Sequence, residues 1–490
     1  MKVKRFFSVS QSARKVGEHL TLFSRPILPA FFLSILLAGL SLGSEENNNV
    51  QQTLYMVDLH DLNSQATPWF IGYDYALVGV DDVPSGVSHT AILADQPGDY
   101  YVMSIESPQD LDPIRNSVPF VIVGSDAFLR ADPSQAADLP RYGRGLTRLS
   151  PYRKFAGRVA PPASPIIAEY DPDIADMISG ITAQTCEERL TDITSFLTRY
   201  SYSAHCREAE EYVYNQFTSY GLSASYFDFS WNGTDMHDVI GEMTGTVRPE
   251  SVIIICGHLD CISEDPYNDA PGAEDNGSGT VTVLEAARIL SQYQTDLTVR
   301  FITFSGEEQG LIGSDYYAEH MADIGEEIGA VINLDMVAYH GVYPLDMHIY
   351  SDPLSHWLGQ LAAEAVADYT PVDTIPHYQD SPFYGSDHYS FAIRGYPAMF
   401  FIDAEPWYGE DWYPYYHTTD DVMDHLDMDL QADIARAGTA LAAILARVDF
   451  GTEEIPTLSE WGLVLMGLLL MAGGTAAIAI RKKTVPVRGQ

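Results

Sequence analysis

Side chains that could do chemistry follow three short apolar runs of the sequence. The run SVIIIC leads into His258 and Asp260, and VRFITF leads into Glu307 and Glu308. A third run, AVINLD, closes on Asp335. Continuous apolar runs of this length predict buried strands, and the carboxyl ends of parallel strands meet at one edge of a sheet. We therefore expect an imidazole and several carboxylates to gather at one sheet edge.

Two further residues of the same kinds come from loops. Asp275 lies in a Gly-rich acidic loop before a helix predicted to begin near Ser278, and His417 lies in YYHTTDD. Carboxylates packed this closely would repel one another unless a cation held them. Imidazole nitrogens and carboxylate oxygens suit Zn²⁺, with Mn²⁺ or Co²⁺ as substitutes. The set exceeds the needs of one tetrahedral ion and fits two ions that share a carboxylate, with one acid left as a base.

The elements that must position these residues divide the chain. Residues 175–450 alternate helical segments with short apolar strands, which predicts an α/β domain with a mostly parallel central sheet flanked by helices. Residues 45–160 alternate apolar and polar positions between turns and predict a small β-rich accessory or pro-domain. A Pro-rich linker at 161–174 separates the two.

A set of motifs occurs in order along the α/β region. They are GHLD at 257–260, PGAEDNGSG at 271–279, FSGEEQGLIGS at 304–314, INLDM at 332–336, GSDHYSF at 385–391 and HTTDD at 417–421. With the preceding SFLTRYS, they make residues 180–425 resemble the two-zinc aminopeptidase family typified by secreted bacterial leucyl aminopeptidases. The resemblance implies a zinc exopeptidase fold and two bound Zn²⁺ ions.

The same resemblance implies a set of metal ligands, position by position. Asp275 bridges the two ions, His258 and Asp335 complete one site, and Glu308 and His417 complete the other. Each of these residues alone would be read as a cap or a surface charge. Together, and in the family's order, they are predicted to bind metal.

The resemblance also implies roles around the metals. Glu307 is the general base, and Asp260 accepts a hydrogen bond from His258 and fixes its tautomer. Asp387 is expected to orient the loop below the metals, and Tyr384 is a candidate donor to the substrate oxyanion. His388 is expected to pack rather than to bind metal.

The implied activity is hydrolysis of N-terminal residues from peptides or proteins by metal-activated water. Two alternatives stay open: a carboxypeptidase-like or glutaminyl cyclase-like activity on the same fold, and a non-catalytic binding ectodomain. The formal net charge of −41 makes nucleic acid an improbable partner, because so acidic a chain repels phosphate backbones.

Both ends of the chain resemble targeting signals. Residues 1–44 combine basic residues with an apolar run from Ile27 to Leu42 and predict a signal peptide, with an uncleaved anchor as the alternative. Within 451–490, the stretch from Gly462 to Ile480 carries no charge and just spans a bilayer. It follows IPTL and precedes a basic cluster, which resembles the IPTL-type sorting signal of exosortase-bearing Gram-negative bacteria. We expect an exported protein, periplasmic, cell-surface or secreted, held in the inner membrane permanently or until a sorting protease removes the tail.

The chain has four cysteines, which suits an exported protein. Cys186 and Cys206 flank a predicted helix and are candidates for a disulfide. Cys256 and Cys261 bracket the His-Asp motif and either pair or stay free.

Two aromatic runs complete the sequence features. PWYGEDWYPYY at 406–416 fits core packing and a pocket wall for an apolar side chain equally well. YFDFSWNG at 226–233 predicts an edge strand followed by a turn.

Overall fold

The computed structural model describes residues 53–152 and 170–450, with short gaps at 63–65, 73–74, 95, 106–110, 112–113, 125, 137–138, 140–145, 342–345, 380–382 and 404–411. The predicted signal peptide, most of the linker and the C-terminal sorting segment lie outside the described residues. Among the helices of the described ranges, none has the length and apolar character needed to cross a bilayer. The predicted span at 462–480 lies beyond those ranges.

Residues 53–152, here called the N-terminal β region, form two antiparallel four-stranded sheets with the orders β2-β3-β1-β4 and β6-β7-β5-β8. The elements are β1 Leu54–Asp58, β2 Pro68–Ile71, β3 Tyr75–Val78, β4 His89–Ile92, β5 Asp99–Ser104, β6 Phe120–Val123, β7 Asp126–Ala131, α1 Pro133–Ala136 and β8 Thr147–Arg148. The alternating pattern predicted this small β-rich region. The exact domain boundaries stay a prediction.

An eight-stranded sheet dominates the rest of the chain, with the order β16-β15-β17-β14-β11-β13-β10-β9. Its strands are β9 Ser223–Trp231, β10 Thr234–Met243, β11 Arg248–His258, β13 Leu297–Phe304, β14 Glu327–Leu334, β15 Asp346–Ser351, β16 Asp373–Tyr378 and β17 Ala398–Ile402, while β12 Gln294–Thr295 pairs with β18 Val448–Asp449. The central strands β17, β14, β11 and β13 are parallel. Because β10, β9 and β15 pair in antiparallel fashion, the whole sheet is mixed, and β9 is the predicted edge strand.

Helices cover both faces of this sheet: α2 Pro172–Ile178, α3 Ala183–Thr194, α4 Ala204–Ser219, α5 Gly279–Leu290, α6 Ile312–Ile324, α7 His356–Tyr369, α8 His388–Ala392 and α9 Met428–Ala446. Ile253 and Ile255 of β11 pack toward α5 and α9, whereas Ile254 and Cys256 pack on the side of α6 and α8. Successive side chains of a strand point to opposite faces, so a strand covered on both sides must be apolar throughout. This explains the continuous apolar runs of the sequence.

The predicted disulfide between Cys186 and Cys206 is wrong, because all four cysteines are free and buried. Cys186 lies in the apolar core of the first face. Cys206 lies in the first turn of α4, near Glu210 and Cys261, and Cys256 faces the opposite side of the sheet. Burial raises the pKa of the Cys186 thiol to about 12, which keeps it unreactive.

Candidate metal centre

Three neighbouring strands end at the same level and present the predicted residues. His258 closes β11 and pairs in register with Phe304, the last residue of β13. Glu307 and Glu308 follow β13 directly, and Asp335 follows β14, whose Asn333 lies opposite Cys256. The register of two parallel pairings therefore brings one imidazole and three carboxylates to one sheet edge, as the sequence predicted.

The two loop residues complete a compact cluster around Asp275. His258 Nε2 lies 3.2 Å from Asp275 Oδ1 and 3.2 Å from Asp335 Oδ1. His417 Nε2 lies 3.2 Å from Asp275 Oδ2 and 2.8 Å from Glu308 Oε2. Each oxygen of Asp275 thus faces a different imidazole, and each imidazole has a second carboxylate of its own.

The electrostatics of the cluster are those of a buried excess of negative charge. Burial lowers the pKa of His417, but Glu308 and Asp275 outweigh it and raise that pKa to about 10. Burial raises the pKa of Glu308 to about 7. Asp275 is buried too, yet its hydrogen bonds to His258 and His417 hold its pKa below the usual range. In the absence of a metal, protons on the imidazoles therefore supply the missing positive charge.

The donor set fits divalent cations. Ligand atoms of His258, Glu307 and Asp335 lie within 4.8 Å of one another, as do those of His258, Asp275 and Glu308. Glu308 Oε1 is buried and makes no hydrogen bond. A buried carboxylate oxygen without a donor is costly, so a cation at this position would satisfy an atom that the chain leaves unsatisfied.

Asp260 contacts His258 through its backbone oxygen rather than through its carboxylate. Its carboxylate Oδ1 lies 3.7 Å from His258 Nδ1, whereas its backbone oxygen lies 3.0 Å from the same nitrogen. The carboxylate instead accepts from the backbone N–H groups of Glu307 and Glu308, at 3.1 and 3.3 Å, and from the hydroxyl of Ser201 at 2.6 Å. Asp260 therefore orients His258 through its main chain and the Glu307–Glu308 turn through its side chain.

The loop that carries Asp275 is held by Asp421, a residue that motif reasoning did not single out. Asp421 accepts from the N–H groups of Glu274 and Asp275 at 2.9 and 3.1 Å, and from the Tyr413 hydroxyl at 2.8 Å. The acidic pair in HTTDD was the only sequence signal for it. A Cβ at Gly279, where α5 begins, would come within 2.3 Å of the backbone oxygen of β14, so the helix start needs glycine there.

Ser386, another residue not singled out, holds the Asp335 carboxylate. Its hydroxyl donates to Asp335 Oδ2 at 2.6 Å and accepts from Asn333 at 2.7 Å. The neighbouring Asp387 is fully buried, and burial raises its pKa to about 7. His388 stacks on Phe400, with ring centroids 4.9 Å apart. The loop below the cluster is thus tied to it through Ser386.

Tyr384, the candidate oxyanion donor, uses its hydroxyl elsewhere. It donates to Asp126 Oδ1 of the N-terminal β region at 2.6 Å. Its ring lies 5.6 Å from that of Phe70 and belongs to the apolar cluster of the same region. The structure therefore does not bring the Tyr384 hydroxyl together with the carboxylates.

A small cavity opens onto the cluster. Its lining combines carboxylates with apolar and aromatic side chains: Asp275, Glu307, Asp335, Met336, Gly385, Phe400, Ile402, Trp412 and Tyr416. Tyr413 of the same aromatic run is fully buried. The run at 406–416 therefore contributes both a pocket wall and core, with residues 406–411 outside the described residues.

Comparisons with known proteins agree with this geometry. The family model "Peptidase family M28" matches residues 238–442, and the IPTL-CTERM motif matches residues 455–482. Leucine aminopeptidase 1 of Sclerotinia sclerotiorum is 27% identical over 320 residues, covering 61% of this chain and 79% of that protein. A probable aminopeptidase of Saccharomyces cerevisiae is 29% identical over 334 residues, covering 62% and 86%.

Solved structures show the same fold. The crystal structure of the Legionella pneumophila LapA aminopeptidase superposes with a TM-score of 0.57 at 20% identity, covering 72% of this chain and 99% of that one. LapB of the same organism gives 0.56 at 19% identity, covering 71% and 99%. The IPTL-CTERM motif indicates an exported protein with a C-terminal sorting signal. The resemblance read from the motifs and the prediction of a metallo-aminopeptidase are confirmed: residues 238–442 match the model of peptidase family M28, and residues 455–482 match the IPTL-CTERM motif.

Proposed function

We propose that this chain is a two-zinc aminopeptidase that removes N-terminal residues from peptides. The observation that carries the proposal is the position of Asp275, whose two oxygens each lie 3.2 Å from a different imidazole. A carboxylate placed in this way is suited to bridge two ions.

The remaining ligands follow from the contacts around Asp275. His258 with Asp335 would hold one ion, and His417 with Glu308 would hold the other. Bound zinc ions would act as Lewis acids that polarise the scissile carbonyl and lower the pKa of water. The surrounding chain fixes the ligands, through Asp421 on the Asp275 loop and through hydrogen bonds at the strand ends.

Glu307 is the residue we assign as general base. It lines the cavity beside Asp275 and Asp335 and is only 9% exposed. Its backbone N–H is held by Asp260. Burial raises the pKa of Glu307 well above its usual range, the direction that allows a carboxylate to take a proton from water and to pass it to the leaving amine.

The cavity supports an apolar N-terminal residue as substrate. Met336, Phe400, Ile402 and Trp412 give this small cavity an apolar wall. Such a pocket suits one side chain rather than a stretch of peptide. The nearby carboxylates would attract the positively charged α-amine of the same residue.

The charge of the lining argues against a carboxypeptidase. A free C-terminal carboxylate needs a cationic partner, usually arginine. The cavity lining within the described residues offers carboxylates and no lysine or arginine. A binding ectodomain without catalysis would not need a buried excess of carboxylates. Burying that negative charge lowers the stability of the fold unless a metal ion is bound.

The test combines metal analysis with turnover. Zinc per chain is measured for the wild type, for Glu307→Gln and for Glu250→Gln, a matched control at the exposed start of β11. We expect about two zinc ions in all three, and a kcat on leucyl-nitroanilide that falls by about 10³-fold only in Glu307→Gln. N-acetylation of the substrate should abolish turnover. Full activity in Glu307→Gln, or equal turnover of acetylated substrate, would overturn the assignment.

Export and sorting form a separate part of the proposal. The IPTL-CTERM motif at 455–482 supports a C-terminal signal that a sorting protease removes after export. Mass spectrometry of the protein purified from the cell surface or medium should then show a C-terminus near residue 455. An intact C-terminus at residue 490 in the mature protein would instead support a permanent anchor.

A further inference from the structure

We propose that the N-terminal β region is a permanent brace of the peptidase site rather than a removable inhibitor, and that Asp126 and Arg148 are positioning residues for it. The inference rests on the proposed peptidase function. It is carried by two sets of contacts, each made to a loop whose other side belongs to the metal centre.

The first set holds the turn that carries Glu307 and Glu308. The N–H of Arg148, in β8, donates to the backbone oxygen of Gly310 at 3.3 Å. Gly310 in turn donates its N–H to the backbone oxygen of Glu307 at 2.8 Å. A Cβ at Gly310 would meet the backbone of Arg148 at 3.1 Å, and its φ of +111° favours glycine. The β region therefore touches the turn two residues beyond a predicted metal ligand.

Charged side chains reinforce this contact at the start of α6. Asp315 is buried and accepts from Arg148 at 3.3 Å and from the Ser150 hydroxyl at 3.0 Å. Arg394, from the peptidase domain, reaches its other oxygen at 2.6 Å. Separating the two regions would remove two of the three side-chain donors to this buried carboxylate, Arg148 and Ser150, so the contact favours their observed relative position.

The second set holds the loop that carries Gly385 and Ser386. Asp126 at the start of β7 accepts from the Tyr384 hydroxyl at 2.6 Å. One residue further along, Gly385 lines the cavity, and Ser386 donates to Asp335. A short path of contacts therefore joins the β region to a predicted metal ligand.

The position of the β region distinguishes a domain that supports the site from one that blocks it. An inhibitory pro-domain would place its own residues in the cavity. The residues lining the cavity, within the part of the chain that is described, all come from 275–416 and none from the β region. The β region therefore contacts the two loops without entering the cavity, as expected of a structural support rather than of a domain that blocks substrate binding.

The chain offers a matched pair of variants, because Asp126 also accepts from Tyr75 of its own region at 3.1 Å. Tyr384→Phe and Tyr75→Phe remove the same group from the same carboxylate. We expect similar decreases in the unfolding midpoint, but a fall in kcat/KM of about tenfold for Tyr384→Phe and less than about twofold for Tyr75→Phe. Equal losses of kcat/KM in the two variants would overturn the proposal.

Asp126→Ala distinguishes positioning from direct catalysis, because it removes the acceptor of the Tyr384 hydroxyl. If Tyr384 acts through Asp126, Asp126→Ala loses as much kcat/KM as Tyr384→Phe, and the double variant loses no more than either alone. If Tyr384 instead contacts the substrate, Asp126→Ala stays near the wild type while Tyr384→Phe loses activity. That second pattern contradicts the brace.

Zinc affinity gives a readout that does not need turnover. Competition with a chelator should show zinc held several-fold more weakly by Asp126→Ala and Tyr384→Phe than by the wild type or Tyr75→Phe, because Ser386 would no longer fix Asp335. If the wild type had no peptidase activity, the proposed function would fail while this comparison would still decide on the brace. Unchanged zinc affinity in all variants would overturn it.

A nick in the predicted linker tests permanence in the full chain. With a protease site inserted within 161–169, cleavage should leave the two parts co-eluting and kcat/KM unchanged. Separation of the parts accompanied by a rise in activity would identify the β region as an inhibitor. Separation with unchanged activity would show that the site needs no brace. Either result would refute the proposal.

Discussion

Two clusters of buried charged side chains in this molecule differ in how their negative charge is balanced. Around Asp315, two arginines and a serine hydroxyl satisfy a single carboxylate. At the sheet edge, the cationic partners that the described residues offer to Asp275, Glu307, Glu308 and Asp335 are two imidazoles, and Glu308 Oε1 makes no hydrogen bond. The first cluster is complete within the chain, and the second needs a partner from outside.

The difference teaches how to tell structural from functional charge. A buried charge that serves the fold is paired by side chains, since an unpaired one costs several kcal/mol. A surplus of like charge at the ends of parallel strands is retained only where a cation or a substrate offsets it. An Asp-to-Asn substitution should therefore mainly weaken metal binding in the cluster at the sheet edge, and mainly lower the stability of the fold in the cluster around Asp315.

The largest effect is expected from Asp275→Asn in the incomplete cluster. One oxygen of the carboxylate becomes an amide nitrogen, so the side chain could no longer bridge the two proposed ions. We expect zinc to fall from about two to one or fewer per chain, and kcat/KM to fall by at least about 10³-fold. Elemental analysis and turnover measure the two losses. Two zinc ions with wild-type turnover in this variant would contradict the comparison.

The same substitution in the complete cluster should act on the fold. Asp315→Asn leaves Arg148 and Arg394 without their shared carboxylate, and we expect the free energy of unfolding to fall by about 3 kcal/mol. Urea unfolding of the metal-free protein measures it, with Asp235→Asn, at an exposed position of β10, as the control. Zinc per chain should stay near two. A loss of zinc without a loss of stability in Asp315→Asn would contradict the structural role assigned to this cluster.

The pH dependence should sharpen the contrast through the incomplete cluster. The pKa of Glu308 is raised to about 7 by burial, and that of His417 is raised to about 10, against burial, by Glu308. Both groups bind more protons in the folded state, so their contribution to metal-free stability is present at low pH and is lost as pH rises from about 4.5 to 10.

Zinc displaces those protons, so its binding strengthens over the same window. The increase in unfolding temperature on adding zinc should therefore grow from pH 5 to pH 9. Thermal unfolding with and without zinc measures it. An equal zinc-induced increase in unfolding temperature at pH 5 and pH 9 would show that zinc binding does not displace protons from these groups.

The smallest effect is expected at the rim of the incomplete cluster. Glu264 accepts from the N–H and hydroxyl of Thr419 at 2.9 Å each, two residues beyond His417, but the pair is exposed to solvent. We expect Glu264→Gln to change kcat/KM by less than about twofold, as is typical of exposed polar contacts. A tenfold loss would show that the His417 loop depends on its outer surface as well as on its buried contacts.

The sequence was most informative where chemistry follows a strand. His258, Glu307, Glu308 and Asp335 could be predicted because apolar runs locate the strands and their carboxyl ends share one edge. The parallel centre of the sheet followed from the same runs. The antiparallel pairing of β15 with β17 did not, since pairing direction leaves no mark in a buried apolar strand.

Supporting contacts could not be predicted in this way. Asp421, Ser386 and Asp126 act through partners that lie far away in the chain, and hydrogen bonds between distant side chains have no periodicity in the sequence. The disulfide prediction for Cys186 and Cys206 failed for a related reason: spacing around a helix says nothing about which way each thiol faces.

The hydrogen bond from Tyr384 to Asp126 joins residues 258 positions apart in the chain. The contact of Ser150 with Asp315 spans 165 positions. Contacts of such long sequence separation close large loops and form slowly during folding. Synthesis delivers the N-terminal β region first, yet its docking surface exists only after residue 384 has been made. The brace is therefore expected to be among the last parts of the molecule to assemble, so that a competent site appears only in chains that have folded almost to their end.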